Sequence, residues 1–379
     1  MTSDTRGSSS DLSTYELAFA GDLVLDLPEP DHWLAGLERL LQPMDMALGH
    51  LEVPHTLRGS EMKGDVPAPG ADPAALAAIA RCGFDAVSLA GNHIADQGEA
   101  GIADTLAGLQ EAGIAHCGAG LDLHQARTPA WLTLGPHTIA VLSYNCVGPE
   151  SAWAADNRAG CAYLPLATAT GEPVSPTANI TGMTDLALTI LKEDIAALRD
   201  DADLVIVALH KGLVHTPAVL APYERPVAHA AVDAGADIVV AHHAHIVRGI
   251  EVYRGKPVFH GLGNGCVVTR ALAPDQAHPQ RAAWASRRKE MFGFEPDPEY
   301  PFAPFHPEAV NAMLGRVSWS PGHGLQAGLL PMFMEPPGRP VPADDERASD
   351  IVDYVEAITS RAGLPPVTYA RANAMWSLQ

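Results

Sequence analysis

Four apolar residues in unbroken succession, Ile238-Val239-Val240-Ala241, run directly into His242-His243-Ala244-His245. The run is too short for a helix and does not alternate apolar with polar residues, so it reads as a strand covered on both faces. Such a strand belongs to a sheet enclosed by helices, which narrows the fold class to α/β. It ends in three histidines within four positions. His243 and His245 can turn toward one point if the backbone bends after the strand. Imidazole nitrogens suit zinc, iron, manganese or nickel. A histidine-containing loop without metal is the plain alternative for this segment taken alone.

The same arrangement recurs upstream. Glu16–Ala20 is a short apolar strand leading to Gly21-Asp22, and Asp45–Leu51 is another ending at Glu52. Ala86–Ala90 leads into Gly91-Asn92-His93, and Leu204–Leu209 ends at His210. Thr138–Tyr144 and Pro257–Leu262 are further strands, the second followed by Gly263-Asn264. Helical stretches separate them: His32–Leu41, a helix capped by Asp72-Pro73 and running to about Cys82, Glu99–Ala112 closed by Gly113, Leu186–Leu198, and Ala221–Ala234 stopped by Gly235. Ligand sites of α/β sheets lie at the carboxyl ends of strands. Asp22, Glu52, Asn92, His93, His210, His243 and His245 all fall there.

Four segments follow from the patterning. Residues 1–14 are a polar, Ser-rich, disordered lead-in, and 15–270 form the α/β core. Residues 271–342 are rich in proline and aromatics and read as an irregular insertion, either covering the substrate or standing as a small peripheral unit. Residues 343–379 are a C-terminal helix and tail, with Ile351, Val352, Val355 and Ile358 on one face to dock on the core. The loop Val53–Asp72, which includes Lys63, is long enough to cover a site.

The net charge of −21 argues against a nucleic-acid partner, whose phosphates need a basic surface. No apolar run approaches the roughly 20 residues of a membrane span, and no hydrophobic signal segment is present. Five scattered cysteines without a Cys-x-x-Cys pair indicate free thiols in a reducing cytoplasm. The expected partner is a small soluble molecule; association into a homo-oligomer is left open.

Asp22, Glu52, Asn92, His210, His243 and His245 make a mixed nitrogen and oxygen donor set for divalent metal, with manganese, zinc or iron as the candidates and two ions expected. A carboxylate can bridge two cations, and two metals about 3.5–4 Å apart would activate a water and clamp the reacting oxygens. His93, beside Asn92, is left free as a general acid. Each residue has a mundane alternative: Asp22 as a turn cap, Glu52 as a solvated charge, Asn92 as a turn former, His210 as a core histidine. All must hold together for the site to vanish. Lys211, one of five lysines, is read as a substrate anchor or an exposed lysine. His215 can line the site and His242 can support it or sit in the core; both, with Lys63, are further substrate-binding candidates.

In order along the chain, Phe19-Ala20-Gly21-Asp22, His50-Leu51-Glu52, Gly91-Asn92-His93 with Asp96 and Gly98, His210 with Gly212, Gly235-Ala236-Asp237, His242-His243-Ala244-His245, Gly249-Ile250-Glu251 and Leu262-Gly263-Asn264 resemble the bacterial capsule-synthesis (CapA, or PGA-cap) proteins, relatives of calcineurin-like metallophosphoesterases. The resemblance spans about Leu17 to Asn264. It implies a four-layer α/β/β/α sandwich of the metallophosphoesterase type, with Asp22, Glu52, Asn92, His210, His243 and His245 as ligands and His93 as the acid. Departures stand at His50, where the family has Asn, at Lys211 for Trp, at Val214 for an acid, and at Ala244 for Pro. The membrane anchor common in capsule-assembly members has no counterpart. The expectation is therefore a cytoplasmic metal-dependent hydrolase cleaving an amide, including a γ-glutamyl type, or a phosphoester. A non-enzymatic binding or assembly protein of poly-γ-glutamate or envelope synthesis is the alternative.

Overall fold

In the first strand, Tyr15–Leu25, alternate side chains go to opposite sides of a sheet. Leu17 and Phe19 join an apolar layer with Ile139, Val141, Ile206, Val240 and Phe259 of a second sheet. Ala18, Ala20 and Leu23 join the opposite layer with Trp33, Leu34 and Leu37 of the helix Pro30–Leu41. A computed structural model describes residues 13–62, 68–273, 275, 277–372 and 375–379. Among these the two main sheets pack face to face with helices outside, the four-layer α/β/β/α sandwich that the resemblance implies.

The first sheet has ten strands among the described residues. Tyr15–Leu25 pairs in parallel with Met46–Leu51, which is followed outward by Ala86–Ser88 and Ala115–Cys117. The second sheet has a parallel centre of His137–Asn145, Leu204–Lys211, Ile238–His243 and Lys256–Phe259. Its outer face carries the helices Asp185–Ala196 and Glu224–Ala234, through Ala187, Leu191, Ile195, Val227 and Ala231. After Phe259 the chain crosses between sheets, so that Asn264–Val268 pairs in parallel with the first strand. The carboxyl ends of both sheets therefore open on one side of the sandwich.

Local chemistry sets the helix boundaries. Thr184 caps its helix by accepting from the Ala187 N–H at 3.1 Å. Asp72, two residues ahead of the helix Ala74–Cys82 and separated from it by Pro73, accepts from the Ala74 N–H at 2.9 Å. Asp344 does the same for Arg347 at 2.9 Å and starts the helix Asp345–Arg361. That helix buries Ile351, Val352, Val355 and Ile358, its expected apolar face.

The segment 271–342 departs from its sequence reading. Its second half is neither irregular nor peripheral: Asn311–Ser320 and Gly324–Glu335 form a long antiparallel hairpin, and Asn311–Ser320 pairs with the first strand, Tyr15 opposite Trp319. Both faces of the hairpin are covered, so the period-two alternation that betrays a half-buried strand is missing from its sequence. Its first half contains the short helices Pro279–Ser286 and Arg288–Phe292, which lie over the strand ends. The lead-in falls outside the described residues up to position 12, as does Lys63. No helix among the described residues is long and apolar enough to cross a membrane.

Candidate metal centre

Asp22 owes its direction to a break in strand pairing. The register shifts between Asp22 and Leu23 against one neighbouring strand, and between Phe19 and Asp22 against the other. Irregularities of this kind re-aim a side chain. Gly21 permits the close approach beside it: a Cβ there would lie 2.0 Å from the Gly263 carbonyl oxygen. The Asp22 N–H donates to that same oxygen at 3.0 Å.

Among the described residues, two groups of side chains offer ligand atoms within 4.8 Å of one another, and Asp22 belongs to both. One is Asp22, Glu52 and His245; the other is Asp22, His50 and His210. In the first, His245 Nδ1 lies 3.5 Å from Asp22 Oδ2, and its Nε2 lies 3.3 Å from Glu52 Oε1. In the second, His210 Nε2 lies 2.7 Å from Asn92 Oδ1 and 3.1 Å from His243 Nδ1. The structure thus gathers Asp22, Glu52, Asn92, His210, His243 and His245 at one place, with each sheet supplying part of the set.

The electrostatics suit a cation. Burial pushes the Asp22 carboxyl well above the usual carboxylate range, and the charge of Glu52 adds to it. Burial opposes ionisation of Glu52 too, but His245 holds that carboxyl below its ordinary value. Burial alone would lower His245, yet the Glu52 and Asp22 carboxylates raise it to about 9. His50 and His210 are pushed well below the ordinary imidazole value, chiefly by burial and then by neighbouring imidazoles. Neutral imidazoles are ligands, and two adjacent buried carboxylates call for positive charge. His50 Nε2 is buried without a hydrogen-bond partner among the described residues. It points at space left by Gly91, where a Cβ would lie 2.9 Å away. The donors present fit one or two divalent ions.

His215, His243 and His245 hold φ of 58°, 88° and 53°, a region unusual for residues with a Cβ. Such backbone costs about 1–3 kcal/mol per residue and persists where surrounding structure dictates it. Here the bend turns both His243 and His245 back toward Asp22. The His243 N–H donates to Asp22 Oδ2 at 3.3 Å. Asn264 Oδ1 lies 2.9 Å from His245 Nδ1 and fixes that ring.

His93 Nδ1–H donates to Asp96 Oδ2 at 2.6 Å, while Asp96 is fully buried. The His93 ring lines a cleft of about 530 Å³, shared with Asn92, His215, His243 and His245. An imidazole oriented by a carboxylate at the mouth of a ligand cluster is placed to transfer protons.

Two substrate-binding expectations are corrected. Lys211 is fully buried, its ammonium 3.0 Å from Glu224 Oε2, away from the cleft and not at the surface. The departure from Trp here places a cation inside the fold, where Glu224 balances it. His242 does not face the cleft: its ring stacks on His50 at 4.8 Å, and its Nε2–H donates to the Ala20 carbonyl at 3.2 Å. It supports the ligand layer from below. His50, Asp96 and Asn264 were given no role by residue-level reasoning. Asp96 and Asn264 had a signal only as members of the motif series, and His50 only as a departure from it.

The residues 16–267 match the model of a family described as Bacterial capsule synthesis protein PGA_cap. A Mycobacterium tuberculosis protein described as a probable polyglutamine synthesis accessory protein is 35% identical over 47% of this chain and 43% of its own. The capsule biosynthesis protein CapA of Bacillus anthracis is 29% identical over 49% of this chain and 41% of its own. The matches thus span less than half the length of these curated relatives. The calcineurin-like phosphoesterase YfkN from Bacillus subtilis is a similar solved structure, with a TM-score of 0.41 and 12% identity over 91% of this chain and 98% of its own. With the family match running from the first strand through the crossover that brings Asn264 to His245, the chain belongs to the bacterial capsule synthesis PGA_cap family.

Proposed function

We propose that the chain is a metal-dependent hydrolase of a small soluble substrate, cleaving a phosphoester or a γ-glutamyl-type amide. The observation that carries this reading is Asp22 standing in both ligand groups at once, as a carboxylate bridging two ions does. Asp22, Glu52 and His245 would hold one ion, and Asp22, His210, Asn92 and His243, joined by His50, the other. Divalent metal there would supply Lewis acidity and lower the pKa of an attacking water.

The remaining chemistry is the chain's own. As water adds to phosphorus or carbonyl carbon, the bond to the leaving oxygen or nitrogen breaks and that atom takes a proton from His93 Nε2. Asp96 accepts from Nδ1, which orients the ring and stabilises its protonated form. The names of the relatives favour a second reading, a non-catalytic accessory role in poly-γ-glutamate synthesis.

Purified protein is expected to carry a divalent transition metal, and His243→Ala to lose most of it, read by elemental analysis. Metal-loaded wild type should hydrolyse members of a panel of p-nitrophenyl phosphate, bis(p-nitrophenyl) phosphate and γ-glutamyl p-nitroanilide. His93→Ala should keep its metal and lose about 10²–10⁴-fold in kcat. Equal metal in wild type and His243→Ala refutes the ligand set. A loaded protein that hydrolyses nothing but binds oligo-γ-glutamate favours the accessory role.

A further inference from the structure

The cleft beside His93 has a wall that the family match, ending at residue 267, does not contain. The helices Pro279–Ser286 and Arg288–Phe292 contribute Trp284, Met291 and Phe292, and the flanking segments contribute Leu272 and Phe305. Leu213, after the strand of His210, forms part of the opposite side. We propose that the substrate carries an apolar substituent of aromatic size next to its scissile group, and that this wall binds it.

Four observations converge. First, the wall is continuous with the ligand cluster: the Phe305 ring stacks on His245 at 5.0 Å, and Phe292 meets His215 edge-on at 4.9 Å. Second, no Lys, Arg, Asp or Glu lines the cleft among the described residues. Arg288, on the wall helix, is turned inward, donating to the Pro304 carbonyl at 2.6 Å and the Leu272 carbonyl at 3.1 Å. Its guanidinium packs on Trp284 at 4.9 Å, so this cation braces the wall and is not offered to a ligand. Arg281 lines a smaller adjoining chamber and is paired with Glu61. Third, Leu213 and Met291 are 41% and 40% exposed at the cleft, apolar surface that a ligand would cover. Fourth, the cleft volume of about 530 Å³ is that of a small-molecule site. A γ-glutamyl polymer, with a carboxylate on each unit, finds no counter-charge along this wall among the described residues, and the protein itself carries a net charge of −21.

This inference rests on the hydrolase reading for its scissile group but not for its binding surface, and the test separates the two. Binding of methyl-, benzyl- and naphthylmethylphosphonate to metal-loaded full-length protein is measured by calorimetry. Hydrolysis of ethyl, benzyl and naphthylmethyl phosphates, and of the matching γ-glutamyl amides, is measured in parallel; within each set the leaving groups are of similar basicity. Burial of one ring should tighten binding, and raise kcat/KM, by about 10–100-fold over the methyl or ethyl compound. Trp284→Ala should reduce that ratio to a few-fold. Met291→Lys, a change at a partly exposed site, should lower the aromatic preference and improve binding of a γ-glutamyl dipeptide. Tryptophan-dependent aromatic binding without any turnover supports the wall and overturns the hydrolase. Turnover or binding that is flat across each series overturns the wall and leaves the hydrolase standing, as does oligo-γ-glutamate binding more tightly than the aromatic phosphonates.

Discussion

Glu224 should matter far more to stability than the lysine it neutralises. Lys211, Glu224 and Arg248 form a fully buried triad with two positive charges around one negative. Arg248 Nη1 lies 3.1 and 3.0 Å from the two Glu224 oxygens, and its Nε and Nη2 have no hydrogen-bond partner among the described residues. Lys211 Nζ has Glu224 Oε2 at 3.0 Å and donates to the His260 carbonyl at 3.3 Å. Lys211→Met removes the ammonium's two charge-assisted bonds, to Glu224 and to the His260 carbonyl, each worth about 1.5–3 kcal/mol, and also removes the cost of burying an ammonium, which is of the same order. It leaves Arg248 and Glu224 as a balanced pair, with the Ala221 N–H still donating to Glu224 at 2.7 Å. The net loss should be about 0–2 kcal/mol. Glu224→Gln leaves two buried cations facing each other and should cost about 3–5 kcal/mol or more. Urea denaturation followed by far-ultraviolet circular dichroism gives both values, and the double variant gives the coupling. The argument fails if Lys211→Met is as destabilising as Glu224→Gln. A Lys211→Met protein of normal stability with a raised KM would instead restore the lysine as a substrate anchor.

Two further outcomes follow from the site and the core. His50→Ala should weaken binding of divalent metal by about 10–100-fold while the fold persists, read by competition with a chelator of known affinity; unchanged affinity would make His50 a packing residue under the ligands. All five cysteines are free and buried, and burial pushes the Cys82, Cys117, Cys146 and Cys161 thiols up to about 12 and Cys266 higher still. Native protein at pH 8 should therefore react with Ellman's reagent at well under one thiol per chain within minutes, rising to five on denaturation; rapid native labelling would contradict the packing.

Where a strand's burial and its end could both be read from local pattern, the sequence was informative. Short apolar runs ending in Asp22, Glu52, Asn92, His210 and His243 marked strand ends because parallel sheets bury both faces and place ligands at the carboxyl side. Helix limits at Gly113 and Gly235 followed from left-handed caps, with φ of 74° and 117°. The hairpin 311–335 escaped because its glycines and Pro331 break the pattern, and its pairing with Tyr15–Phe19 is a long-range choice. The burial of Lys211 depends on Glu224 and Arg248, residues far along the chain that only the fold brings together. His50 looked like a strand residue preceding a ligand. Its place in a ligand group comes from the register that sets it opposite Asp22. The aromatic wall has no periodicity to announce it, because its side chains converge from two short helices and loops.

The pairing of the first strand with Asn311–Ser320 also has a cost during synthesis. On the ribosome, Tyr15–Phe19 emerges early, but its antiparallel partner, ending opposite Tyr15 at Trp319, is made far later. At roughly 5–20 residues per second the delay is roughly 15–60 s. Throughout that interval one side of Leu17-Ala18-Phe19 offers unsatisfied N–H and C=O groups, and Asn264–Val268, which pairs with the same strand beyond Asp22, is likewise late. A nascent chain in this state presents an open apolar edge to its neighbours. Expression yield should therefore depend on chaperone supply and translation speed more than the stability of the finished molecule would suggest.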